Sequence, residues 1–403
     1  VNRIPAVLAL TALQLAACGP GSDDPAMQAA ASPEDEACLC SSTAKSDMVE
    51  WLQPAVSDLH IRSEEEKQKG MEQGRALPEP ESLQPRLDPA LAPFERRLAA
   101  DVRGSLVGGA SDILPGLITQ WIDAFQKFYP NVKIEIAKPY AGSLGMLQVI
   151  EGNYDFVFVS RELKPTDIES FTKKYGYAPL SVPISGASYR HYGFLDAVGF
   201  FVNVGNPLDK LSFDQIDAIY SSTRNRGEPA IRTWGDLGLT GEWADKPVHA
   251  YGFEPWNGFE EFVRQRVLNF DGKRGEWRDD VQFSHDAFPI AAQVANDPLG
   301  IGYTGLAYLN RGVKVLPLAA DKGSTDYVPA SYERVADASY PLSRLIYFNG
   351  NAEPGEGLDP VLEEFVRFIL SRNGQEIVLD QAIYLPLRNP QVVNSLAMLS
   401  DAN

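Results

Sequence analysis

"GSLVGGASDILPGLITQWIDAFQKFYPNVKIEIAKPYAGSLGMLQVIEGNYDFVFVSREL", residues 104–163, decides the fold. It opens with a short strand and a glycine turn. Leu114, Leu117, Ile118, Trp121, Ile122, Phe125 and Phe128 then recur at helical spacing. Pro115 falls in the first turn of that helix, where its missing N–H costs no hydrogen bond. "NVKIEIAKPY" alternates as a strand, "AGSLGMLQVIEGNY" returns to helix, and "DFVFVSREL" reads as a buried strand with a loop behind it. Strand, helix, strand, helix, strand is the α/β pattern of a largely parallel sheet.

Further along, "AVGFFVNVGNPLDKLSFDQIDAIYS" (197–221) opens a second unit: a strand, an Asn-Pro turn, then a helix carrying Leu211, Phe213, Ile216, Ile219 and Tyr220. "GIGYTGLAYLNRGVKVLPL" reads as strand, turn and strand, "YPLSRLIYFNGN" as another strand, and residues 358–387 as a long helical tract. In "AYGFEPWNGFEEFVRQRVL" (250–268), a strand end and tight loop feed a helix whose apolar face is Phe259, Phe262, Val263 and Val267. Asn257 can cap that helix, with Glu260 placed to close a capping box.

Ahead of residue 99 the texture differs. "VNRIPAVLALTALQLAACGP" carries one positive charge, Arg3, and an apolar run from Ile4 to Ala17 that is too short to span a bilayer. It suits the apolar region of a secretory signal. The small residues before Cys18 make "LAAC" resemble a bacterial lipobox, so the mature chain is expected to begin at a lipidated Cys18. Gly19 is not the aspartate that favours inner-membrane retention in many Gram-negative lipoproteins, so outer-membrane anchoring is the favoured expectation. Residues 19–98 are acidic and proline-bearing, with few large apolar groups, and read as a disordered spacer. Cys38 and Cys40 within it are a disulfide or two free thiols. The four histidines are scattered, and no metal site or cofactor is expected.

The formal charge of −18 argues against nucleic-acid partners. No nucleophile elbow, zinc-protease helix, Walker loop or dinucleotide fingerprint appears, so an enzyme is not expected. Chemistry instead concentrates where strands give way to helices: Ser111 in "GGASDI", Ser143 in "AGSLG", Ser160 and Arg161 in "SRELKP", and Asn257 and Gly258 in "EPWNGF". In an open α/β sheet ligands bind beyond the carboxyl ends of strands. Helix N-termini converging there offer N–H donors to an oxyanion.

Taken in order, "GSLVGGASDILPGLITQWIDAFQKFYP", "YAGSLGMLQVIEG", "YDFVFVSREL", "AVGFFVNVGNPL", "GIGYTGLAYL", "YPLSRLIYFNGN" and "FVRFILSRNGQEIV" resemble the PstS-like phosphate-binding proteins of bacterial ABC importers over about residues 103–390. The resemblance implies an α/β type II periplasmic-binding fold, with two lobes joined by two hinge crossings and ligand held between them. Lobe 1 would comprise 99–196 and 338–403, lobe 2 would comprise 197–337, and the crossings would fall near 194–200 and 338–346. It further implies contacts from Ser111, Asp112, Ile113, Ser143, Ser160 and Arg161. The partners would be phosphate or another small oxyanion and the membrane subunits of an importer, and the protein would act as a periplasmic monomer.

The fourth element departs from the family pattern of an arginine followed by a Ser-Gly-Thr helix start. Phe253 stands at the arginine's place, Asn257 at the serine's and Phe259 at the threonine's, so only Asn257 and Gly258 remain as expected contacts. A charged hydrogen bond contributes about 1.5–3 kcal/mol, so oxyanion binding should be weakened. Arg161 is the expected compensating cation, with Arg190 and His191 as further cleft candidates. Phe253 and Trp256 either pack beneath the loop or stack on an organic ligand. A binding-fold lipoprotein with a changed ligand, acting as a sensor or interaction protein, is the alternative.

Overall fold

The structure, a computed structural model, describes residues 85–191, 194–255, 257–309 and 312–401. The leader, Cys18, Cys38, Cys40, the spacer up to residue 84 and Trp256 lie outside the described residues.

The opening stretch folds as its helical and strand periodicity dictates, except that the first strand runs on through Gly108 and Gly109, so the turn expected at the glycines falls after Ala110. Strand β1 (Gly104–Ala110) leads to helix α1 (Pro115–Gln126), which starts on Pro115 and buries Leu117, Ile118, Trp121, Ile122 and Phe125. Strand β2 (Val132–Ile136), helix α2 (Gly142–Glu151), strand β3 (Phe156–Val159), helix α3 (Pro165–Tyr175) and strand β4 (Leu180–Gly186) follow. Helix α2 lies close on β1 because two glycines meet there. A Cβ on Gly109 would come within 2.9 Å of the Gly145 Cα.

A second sheet takes strand β5 (Val198–Asn203), strand β7 (His249–Phe253), strand β8 (Gln282–Ser284), strand β9 (Gly300–Gly305) and strand β10 (Val313–Val315). Strands β6 (Leu211–Ser212) and β11 (Leu318–Ala319) form a small ribbon beside it. Its helices are α4 (Phe213–Tyr220), α5 (Gly258–Val263), α6 (Ala287–Asn296) and α7 (Tyr332–Ala336), and a π-helical turn, Arg264–Leu268, continues α5. The chain then returns through strand β12 (Leu345–Gly350) and helices α8 (Pro360–Leu370), α9 (Arg372–Asp380) and α10 (Asn389–Asp401).

Both sheets are mixed rather than largely parallel. In the first, of order β2-β1-β3-β12-β4, β1 is parallel to β2 and β3, but the returning β12 is antiparallel to β3 and β4. In the second, of order β10-β5-β9-β7-β8, β7 is parallel to β8 and β9, while β5 opposes β9 and β10. The strand that enters each lobe across a connecting segment runs against its neighbours, which the parallel reading of the first stretch could not reveal. Each sheet has its own apolar core. One is built around Trp121, Phe158 and Phe365, the other around Phe200, Tyr220 and Tyr303.

The segments joining the sheets pair with each other. The Ala187 N–H donates to the Arg344 carbonyl (3.0 Å), and the Val198 N–H to that of Leu342 (3.1 Å).

Residues 85–98, read from composition as spacer, belong to the folded body. Leu91 is buried, and Phe94 sets its ring edge-on to Phe128 (5.1 Å) and Phe368 (5.3 Å). The Phe94 N–H donates to Asn373 Oδ1 (2.9 Å), and the Arg372 N–H to the Ala92 carbonyl (2.7 Å). Prolines keep this strap irregular, so neither helical nor strand periodicity marks it, yet Leu87, Leu91, Phe94 and Leu98 dock it on the core.

Candidate ligand-binding site

Parallel pairing of β1 with β3 sets Ala110 against Phe158 and carries Ser111 and Ser160 to adjacent strand ends. The Ser111 N–H donates to the Phe158 carbonyl (2.9 Å), and the Ser160 N–H donates to Ser111 Oγ (3.3 Å). The two hydroxyl oxygens are 3.4 Å apart. Helix α2 starts against them, and a Cβ on Gly142 would lie 2.6 Å from Ser111 Oγ, so only glycine leaves that hydroxyl room. Arg161 reaches back to the same corner. Its Nη2 donates to Ser143 Oγ (3.1 Å) and lies 3.9 Å from Asp167, while Nη1 donates to the Glu162 carbonyl (2.7 Å). Ser111 with Ser160 and Ser143 with Arg161 therefore form two hydrogen-bonded pairs, brought side by side because Ser160 precedes Arg161 in the chain and Gly142, beside the Ser111 hydroxyl, precedes Ser143. Asp112 and Ile113 occupy the turn between β1 and α1. Tyr384 donates its hydroxyl to the Ile113 carbonyl (2.9 Å), which ties the turn to the C-terminal tract.

The other lobe contributes the start of α5. Asn257 caps it by accepting the Phe259 N–H (2.9 Å), while its own amide donates to the His285 carbonyl (3.4 Å). Gly258 is exposed, with nothing within 4 Å of where a Cβ would sit. The expected capping box does not form. Glu260 turns inward instead, and its Oε1 accepts from Arg264 Nε (2.7 Å) and Trp277 Nε1 (2.6 Å). Phe253 is buried beneath the loop. It stacks on Phe259 at 5.0 Å and 11°, with Tyr303 on another side at 5.8 Å. The two aromatic residues at the departing positions thus satisfy each other, and Phe253 is not presented to a ligand.

Two ion pairs hold the lobes face to face beside these elements. Lys164 Nζ lies 2.7 Å from Glu261 Oε1, with side chains only 7% and 15% exposed, so little solvent screens the pair. Glu162 pairs with Arg266 and also accepts the Tyr347 hydroxyl (2.8 Å). Glu162 and Lys164 flank Arg161, and Glu261 and Arg266 follow Gly258. Lys164, three residues beyond Arg161, thus bonds the first turn of α5, and Glu162 bonds Arg266 in the π-helical turn that follows it.

The connecting segments add charges that local patterns did not mark. Arg344, buried in the second, lays its guanidinium over Phe259 (5.2 Å) and Phe262 (5.1 Å). Asp196 in the first is fully buried and accepts the Ala307 N–H at Oδ2 (2.9 Å). Burial pushes its carboxyl up to about 7, against the opposing pull of the Ala307 bond, Arg344 and Arg190. Of the other cleft candidates, Arg190 is exposed, and burial holds His191 below the ordinary imidazole range, which favours the neutral ring. Among the described residues no group of three His, Cys, Asp or Glu could hold a metal ion.

The family model for the PBP superfamily domain matches residues 97–373. The phosphate-binding protein PstS of Pseudomonas aeruginosa is 34% identical over 302 residues, which span 75% of this chain and 88% of that protein. The chain belongs to the PstS-like family of the PBP superfamily. Phosphate-binding protein PstS 2 of Streptococcus agalactiae is 34% identical over a shorter 132 residues, 32% of this chain and 41% of that protein. Among solved structures, PstS from Borrelia burgdorferi covers 72% of this chain and 100% of its own, with a TM-score of 0.50 at 17% identity, a likeness of fold. The two lobes with their mixed five-stranded sheets are those of the type II periplasmic-binding fold.

Proposed function

We propose that this chain is a lipid-anchored extracytoplasmic solute-binding protein. It takes phosphate or a related oxyanion between its lobes and hands it to an ABC importer. One observation carries the reading: the Ser111–Ser160 and Ser143–Arg161 pairs stand side by side on the lobe-1 segment that Lys164 ties to Glu261 in the first turn of α5. Hydroxyls can donate to oxyanion oxygens, Arg161 supplies full positive charge, and a helix start adds oriented N–H groups. The names of the curated relatives, both phosphate-binding proteins, support the same ligand class. Asp112 and Ile113 would line the turn on one side, and Asn257 and Gly258 would close the other. The groups assembled here suit binding and orienting an anion, which supports a receptor role.

Titration calorimetry with inorganic phosphate tests the ligand, and one saturable site per chain is the expected result. Anchoring is tested separately. Cys18→Ser should release the protein from the membrane fraction or leave an unprocessed precursor, and unchanged mass and fractionation would rule the anchor out.

A further inference from the structure

The Arg161 guanidinium is held at both of its terminal nitrogens. Nη2 donates to Ser143 Oγ (3.1 Å), and Nη1 donates to the carbonyl of the next residue, Glu162 (2.7 Å). The place of the Glu162 peptide therefore governs where the guanidinium stands. The side chain of that same residue is gripped from two distant parts of the fold. Glu162 Oε1 accepts the Tyr347 hydroxyl (2.8 Å) from β12 and an N–H of Arg266 Nη2 from the π-helical turn that continues α5. Tyr347 is buried, and burial with the Glu162 charge beside it raises its phenol far above the ordinary range, so the hydroxyl stays protonated and donates. A π-helical turn inside an α-helix is rare and frequently marks a functional position. Here it is the turn that brings Arg266 to Glu162.

We infer that Glu162 is a positioning residue for the oxyanion site, and that Tyr347 and Arg266 act through it. Tyr347 fixes Glu162 from the strand that returns to lobe 1, and Arg266 fixes it from lobe 2. The Glu162 peptide, so anchored, holds the Arg161 guanidinium against Ser143. The inference rests on the oxyanion reading and extends it to residues that serve the anion through Arg161. A plain brace between lobes would behave differently. It would favour closure by the same amount whether or not residue 161 carries a guanidinium, whereas groups that work through one side chain are coupled to it and their effects do not add.

Calorimetric titration of the full chain with inorganic phosphate tests the inference, using Tyr347→Phe and Arg266→Met, each alone and each combined with Arg161→Ala. Tyr347→Phe keeps the buried ring and Arg266 is 39% exposed at its side chain, so both variants should fold, as thermal melting would verify. Alone, each should weaken phosphate binding by about threefold or more, and in the Arg161→Ala background each should cost less than about twofold. Glu162→Gln keeps an oxygen for both donors and should bind phosphate within about twofold of wild type, while Glu162→Ala should lose at least as much as Tyr347→Phe. Losses of the same size with and without the Arg161 guanidinium would overturn the inference and leave the oxyanion reading intact. Wild-type affinity in both Tyr347→Phe and Arg266→Met would do the same. No phosphate binding by the wild-type chain would overturn both.

Discussion

Asp196 gives the fold a stability term that changes with pH, and Asp196→Asn isolates it. The carboxyl is fully buried where the first connecting segment meets β9, and burial raises it from its ordinary 3.8 to about 7. A carboxyl raised in the folded state stabilises fully below its unfolded value, and the contribution is lost as pH rises through its folded value. The loss therefore runs from about pH 4 to about pH 7. That interval, at 1.36 kcal/mol per pH unit, amounts to about 4 kcal/mol. For a folded body of about 300 residues this corresponds to roughly 6 °C in melting temperature. Asparagine keeps an oxygen for the Ala307 N–H and removes the charge. Thermal unfolding followed by circular dichroism should show Asp196→Asn melting close to wild type at pH 4 and several degrees above it at pH 8. If the variant instead melts below wild type at pH 8, the ionised carboxylate is stabilising the hinge through Arg344, and burial does not dominate.

Lys164→Met should leave the partly buried Glu261 without this cation and disfavour the closed cleft, lowering phosphate affinity by about tenfold or more. Lys164→Met combined with Glu261→Leu should recover most of that loss, and a simple sum of the two single effects would argue against a direct coupling. Phe253→Arg alone should not rebuild an arginine site. It breaks a stack beneath the loop and inserts a charge into a buried position, so calorimetry should show lower stability by about 3 kcal/mol or more and no tighter phosphate binding. Phe253→Arg with Phe259→Thr, which removes both rings, should bind phosphate more tightly than Phe253→Arg alone, as titration would show. Limited proteolysis followed by intact mass should leave a core that keeps Leu91 and Phe94, and trimming to residue 99 without loss of melting temperature would contradict the docked strap.

Local sequence carried the elements that own a complete period. Helix α1 shows its buried face within a dozen residues, and the serines at 111, 143 and 160 stand at strand-to-helix transitions that a linear reading can find. The lobe-2 half was legible only as a departure from a pattern, and its meaning came with the structure, where Phe253 and Phe259 close on each other. Long-range partners were not legible. Lys164 meets Glu261 across nearly a hundred residues, Tyr347 reaches Glu162 from the far end of the chain, and Arg344 lies over Phe259 from the second crossing. Nothing near any of them in sequence marks the encounter. The strap at 85–98 misled for a related reason: composition reports an average, whereas Leu91 and Phe94 dock one at a time.

The central claim is that the Ser111–Ser160 and Ser143–Arg161 pairs receive an oxyanion, and phosphate titration of wild type beside Arg161→Ala tests it most directly. Removal of a charged donor that serves the ligand should weaken binding by about ten- to a hundredfold. Phosphate binding that is equally tight with and without the Arg161 guanidinium would contradict the account.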